Sequence, residues 1–235
     1  MKIIGRYLAI LSLILILWNT VIIKPLKLFA VFLHELGHSL MAFVFGYGID
    51  GIRISFNESG YAIVKTKGWL SQVLILNGGY LGSLFFGLLI LLLKKTSLKK
   101  YVPGIIAIIF LAVSIKYGDF SLILLYSIIF AAAVIVIYMI QNDKVIDWTL
   151  DIIGVSSVAY AVYDTFVDTL LVKLKFPLQM IGGSANGSDA DQLAKIWPYI
   201  PSVIWGLFWL ILSLLAIYMF LIKSGGSSKP SRSKK

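Results

Sequence analysis

Long apolar runs, each closed by lysines, a turn or a polar loop, leave this chain few ways to fold. They are Tyr7–Ile23, ended by Lys24-Pro25; Leu28–Tyr47; Trp69–Leu93, closed by Lys94, Lys95, Lys99 and Lys100; Tyr101–Ile115; Phe120–Ile140; Trp148–Val172; and Trp197–Ile222, ended by Lys223. A helix needs about 20 apolar residues to cross a bilayer core, and backbone in lipid must satisfy its own hydrogen bonds. The expected fold class is therefore an all-α polytopic membrane protein with about seven transmembrane helices. Of 235 residues, 59% are hydrophobic and 14% charged, a balance foreign to soluble domains. Tyr7–Ile23 lacks a small-residue cleavage site and reads as a retained span, not a signal peptide.

The net charge of +10 does not mark a nucleic-acid binder. The basic residues stand at the ends of apolar runs and in the tail, where they anchor spans at a membrane surface. Seven spans put Lys24, Lys27, the Lys94–Lys100 loop and the tail on one side, with more than half of the 21 Lys and Arg. That side, with its basic C-terminal tail, is expected to be cytoplasmic. Residues 1–223 read as one transmembrane domain, and 224–235, rich in Ser, Gly and Lys, as a disordered tail. With no cysteine in the chain, disulfides and thiolate metal sites are excluded.

One segment breaks the helical pattern. Across 51–67, Ile52, Ile54 and Phe56 alternate with Arg53 and Ser55, Asn57-Glu58-Ser59-Gly60 signals a turn, and Tyr61–Thr66 is rich in β-branched and aromatic residues. This predicts a β-hairpin, whose edge suits an extended substrate adding as a further strand.

The second apolar run holds Phe32-Leu33-His34-Glu35-Leu36-Gly37-His38-Ser39-Leu40, with the only two histidines of the chain. Positions i and i+4 share one helical face, so His34 and His38 can grip one metal ion from the same side. Glu35, on the flank of that face, can take a proton from a metal-bound water without being a ligand. This is the HExxH pattern of zinc hydrolases. An ionisable group within an apolar span costs roughly 2.5–3.5 kcal/mol on insertion scales, so the cluster reads as a functional site for one Zn2+ ion.

A structural zinc site needs four ligands and a catalytic one keeps a position open, so a third protein ligand is expected. Ser157, Tyr160, Asp164 and Asp168 share one face of the sixth run. The second and sixth runs point the same way through the membrane. His38 stands nine residues before Tyr47, and Asp164 eight before Val172, which sets both about 12–14 Å below the same surface. Asp164 is thus the expected third ligand, with Asp168 as the alternate one turn on. Ser188 or Asp189 reads as the N-cap of a short helix. In Asn77-Gly78-Gly79-Tyr80-Leu81-Gly82-Ser83, the small residues suit close helix packing, and Asn77 is a possible donor to a substrate carbonyl.

The chain resembles the site-2-protease group of intramembrane zinc metallopeptidases, nearest its M50B-like branch. The residues that carry the likeness are His34-Glu35-Leu36-Gly37-His38, the hairpin after it, Asn77–Ser83, Val162–Asp168, Ser188-Asp189-Ala190 and Trp205–Trp209. The resemblance implies a zinc-dependent peptidase cutting membrane-protein or peptide substrates in or beside the lipid bilayer, with Glu35 activating a zinc-bound water. The Asp-Gly motif that carries the third ligand in better-known members has no counterpart after the hairpin, so the likeness does not assign that ligand. The rival readings are a zinc-binding membrane scaffold without catalysis and a metal transporter. A transporter would carry histidine and carboxylate rungs along several spans; here the histidines occupy one level.

Overall fold

The computed structural model describes residues 2–55, 57–118, 122–167 and 187–225. Eight helices and one hairpin follow in order: α1 (Lys2–Ile16), α2 (Lys24–Val44), β1 (Ile49–Ile54), β2 (Gly60–Val64), α3 (Gly68–Leu93), α4 (Val102–Tyr117), α5 (Leu122–Ile140), α6 (Asp143–Phe166), α7 (Asp189–Ile196) and α8 (Ser202–Gly225). Five of them, α2, α3, α5, α6 and α8, are long and apolar enough to cross a membrane. Two more, within α1 and α4, are apolar but shorter. Of the expected disordered tail, 224–235, Ser224 and Gly225 continue α8 instead, and 226–235 lie outside the described residues.

Helix α2 is the most enclosed of the five. Pro25 sits in its first turn, where a missing N–H costs nothing. On one side Phe29 and Phe32 pack against Phe110 of α4 and Phe130 of α5, with ring centroids 5.2 Å apart for Phe29–Phe130 and 4.2 Å for Phe32–Phe110. On the other side α2 meets α3 backbone to backbone. A Cβ on Gly37 would lie 2.1 Å from the Gly78 carbonyl oxygen, and one on Gly82 would lie 2.7 Å from the Gly37 Cα. Glycine at these positions is what lets the two main chains touch, as small residues do between helices in lipid.

The hairpin forms where the alternation predicts it. β1 and β2 pair antiparallel, Ile54 opposite Gly60 and Ile52 opposite Ala62, with an irregularity between Ile49 and Gly51. Ile52 and Ile54 are buried while Arg53 is exposed, so one face serves the core. The hairpin folds back along α2. Lys27, 7% exposed, pairs with Glu58 at 2.9 Å near its tip.

Contacts fix the directions of the helices. α3 runs against α6: Gly87 faces Val158, Gly154 faces Leu91, and Lys94 reaches Asp151. α8 runs with α3, because Trp209 meets Asn77 and Tyr80 while Phe220 meets Lys95. α1 runs with α6, because Arg6 pairs with Asp151 and Trp18 packs on Tyr163 at 4.3 Å. α2 runs against α3, since His38 meets Ile75 and the Gly48 carbonyl accepts from the Lys65 N–H at the hairpin base.

Thus α1 and α2 point the same way, joined by turns over 17–23. Seven complete crossings in alternation would reverse between them and would set Tyr7 and Phe220 at opposite ends. Instead their rings stack at 6.3 Å. The expected count of seven is corrected on this point. α1 spans only 15 residues, about 22 Å of rise, and then hands the chain on to α2 in the same direction.

Candidate metal centre

The two histidines of α2 meet a carboxylate from 151 residues further along the chain. His34 Nε2, His38 Nε2 and Asp189 Oδ2 form a triangle whose three sides each measure 3.1 Å. Among the described residues, this trio is the one group placed to hold a metal ion. Ligand atoms about 2.0–2.1 Å from a tetrahedral zinc stand roughly 3.3 Å apart, so the triangle has the size of one face of such a site. The donor set fits as well. Two ring nitrogens and a carboxylate oxygen aimed at one point repel each other unless a cation or a proton lies between them.

Second partners orient the ligands. The His38 Nδ1–H donates to the Ile75 carbonyl of α3 at 2.7 Å, which leaves Nε2 as the lone-pair atom. His34 stands edge-on to Tyr80, with centroids 4.8 Å apart. Glu35, 4% exposed, lies beside both histidines and accepts a hydrogen bond from the Ala62 N–H of β2. Burial pushes the Asp189 carboxyl up, but when His38 and His34 carry protons they outweigh it and hold Asp189 well below the usual carboxylate range.

Asp189 owes its position to α7 and to a division of labour at the start of that helix. Ser188 is the N-cap and closes a capping box with Asp191. Asp189, the first helical residue, keeps its side chain for the histidines. Ala190 and Leu193, both fully buried, pin α7 onto Tyr80 and Trp209. Of the two caps the sequence allowed, Ser188 serves. The surplus carboxylate in Ser188-Asp189-Ala190-Asp191 is a signal that sequence reasoning passed over in favour of Asp164.

The remaining expected residues fall elsewhere. Asp164 lines the same cavity, half-buried, but gives no atom to the triangle. Asp168 lies outside the described residues. Asn77 does not line the cavity. Its Nδ2 donates to the Val73 carbonyl at 2.7 Å, and its Oδ1 accepts from Trp209 Nε1 at 2.7 Å, tying α3 to α8.

The trio opens on a cavity of about 790 Å³. β2 and the hairpin turn form one wall. The end of α6 and the start of α7 form another, and Trp18 and Lys27 close one end. The volume is ample for several residues of an extended peptide.

A family model described as Peptidase M50B-like matches residues 7–220, nearly the whole chain. The chain belongs to that family. Searches of curated proteins and of solved structures returned no match. Membership in the Peptidase M50B-like family and the five apolar helices together describe a peptidase of the integral membrane class.

Proposed function

We propose that this M50B-like chain is a zinc-dependent intramembrane peptidase in which His34, His38 and Asp189 hold one Zn2+ ion and Glu35 is the general base. The observation that carries this reading is the 3.1 Å triangle of ligand atoms beside a buried glutamate at the wall of a cavity. Zinc, when bound, supplies Lewis acidity and lowers the pKa of water toward about 7. Glu35 then accepts a proton and returns it to the leaving amine. The Ala62 N–H steers the Glu35 carboxylate, and the Ile75 carbonyl keeps His38 in the tautomer that offers Nε2.

Asp189 takes the role that depth along the sixth run suggested for Asp164. Asp164 lines the cavity wall. Asn77 belongs to helix packing, because both ends of its amide are engaged. The substrate is a membrane-protein segment or peptide in extended form. β2, which lines the cavity, offers it an edge.

Both ends of the described chain gather Arg6, Lys94, Lys95 and the end of α8 at one face of the bundle. Lys99 and Lys100 adjoin Lys95 in sequence, and Lys99 pairs with Asp143 and Asp147, the residues flanking Lys144 at the start of α6. We read that face, and the C-terminal tail with it, as cytoplasmic.

The test is Glu35→Gln. Zinc content and melting temperature should stay at wild-type levels while cleavage of an unfolded membrane-protein segment falls by ~10²–10⁴-fold. Equal turnover in the variant removes Glu35 from the mechanism and leaves a zinc-binding scaffold.

A further inference from the structure

Of the α3 residues beside the metal trio, Gly79 has a role unlike that of its glycine neighbours. Gly78 and Gly82 face Gly37 and let the backbones of α2 and α3 meet. Gly79 is turned about 100° from Gly78 and about 60° from Gly82. A Cβ on Gly79 would lie 2.5 Å from His34 Nε2, 2.5 Å from His38 Nε2 and 2.6 Å from His38 Cε1. The first two atoms are the nitrogens that point at the ion.

We infer that Gly79 is a positioning residue of the metal centre: its missing side chain is the space that the ion and its coordination sphere occupy against α3. The inference rests on the metal-centre reading above. An ion about 2.0–2.1 Å from both nitrogens and a methyl carbon 2.5 Å from both would crowd the same few cubic ångströms. Carbon and nitrogen in ordinary contact stand well beyond 3 Å, so a methyl here must push the rings apart. The rings have little room to give. His38 is held from behind by the Ile75 carbonyl at 2.7 Å, and His34 packs on Tyr80, itself buried against Trp209. α3 cannot retreat either, because Gly78 and Gly82 lock it onto Gly37 one residue before and one turn after. The close crossing of α2 and α3 is therefore what makes glycine necessary at 79.

This separates two demands that the sequence run 77–83 superimposes. Alanine at 82 should loosen the helix crossing. Alanine at 79 should exclude the metal while keeping all three ligands and Glu35 in the chain.

The experiment uses the full chain purified in detergent, stripped of metal and titrated with Zn2+, with bound zinc and melting temperature as readouts. Wild type should take up one ion and melt higher with it. Gly79→Ala should remain folded, bind at least 100-fold more weakly and show no zinc-dependent rise in melting temperature. Gly82→Ala should melt lower but bind one ion per folded molecule.

Should Gly79→Ala fail to fold, the same change is made in the His34→Ala/His38→Ala background, where the atoms it meets are gone. There it should fold as well as its parent. Wild-type zinc affinity in Gly79→Ala overturns the inference, as does an equal loss of folding in both backgrounds, which makes Gly79 a helix-packing residue. A wild type that binds no zinc removes the metal-centre reading and this inference together, whereas zinc binding without peptidase activity leaves this inference standing.

Discussion

Asp151 and Asp189 are both carboxylates among apolar helices, and their surroundings could hardly differ more. Asp151 is fully buried and takes Arg6 from α1 and Lys94 from α3, with the Tyr7 hydroxyl hydrogen-bonded to it as well. Arg6 also lies over the Trp148 ring at 4.3 Å. Opposite charges surround this carboxylate, and the cavity beside Asp189 does not reach it. Asp189 meets two imidazoles whose lone pairs converge with its own, beside a cavity and a second buried carboxylate, Glu35. A buried charge with enough counter-charge acts as a clamp between helices. A buried cluster rich in lone pairs and poor in fixed cations is arranged to receive one. Burial alone does not distinguish a site from a strut; the sign of what surrounds the carboxylate does.

The sharpest way to break this contrast is to neutralise each carboxylate in turn. Asp189→Asn should reduce zinc affinity by more than the ~10–100-fold that losing an outer partner costs, with cleavage lost alongside. Asp164→Asn should keep the metal. Zinc stoichiometry of the two folded variants decides between them, and metal loss only in Asp164→Asn would return the ligand to α6. Asp151→Asn should do the reverse. It strands Arg6 and Lys94 without a full counter-charge and should destabilise the bundle by about 3–5 kcal/mol, while each folded molecule still binds one zinc. Denaturation in detergent with and without zinc measures both quantities, and a loss of zinc at unchanged stability would erase the contrast.

Smaller effects sharpen it. Trp209→Phe removes the donor to Asn77 and leaves a part-buried amide oxygen without it, at a cost of ~1 kcal/mol. Since Trp209 also backs Tyr80 and α7, zinc affinity should weaken modestly, as isothermal titration would record. Ser188→Ala deletes one half of the capping box and should cost ~1 kcal/mol, felt as a few-fold weaker zinc site. A Ser188→Ala change with no effect on zinc would mean that α7 is held by Ala190 and Leu193 without help from its cap.

What the sequence disclosed follows from where the physical signal is local. The hairpin was legible because alternation at Ile52 and Ile54 and a turn at 57–60 are short-range facts. His34, Glu35 and His38 were legible because an i, i+4 pair defines a face by itself and because charge in an apolar run demands a reason. The direction of α1 was not, since an apolar run looks alike whichever way it is threaded; only the pairing of Arg6 with Asp151 and of Trp18 with Tyr163 sets it. The Asp189 contact was hidden for a different reason. Depth along a span compares residues within crossing helices, and α7 is an eight-residue helix outside any of them. Asn77 looked like a polar group in search of a substrate because Trp209, its partner, lies 132 residues away.

The separation between His38 and Asp189 has a consequence in time as well as space. As the chain is synthesised, α2 enters the membrane early with both histidines and Glu35 aboard. Four more long helices must follow, three of them before residue 189 leaves the ribosome. If Asp189 is the third zinc ligand, as proposed, the metal centre stays one ligand short until α7 docks. On that reading, order of synthesis, written into the distance between two sequence motifs, would delay assembly of the metal centre until most of the bundle is in place.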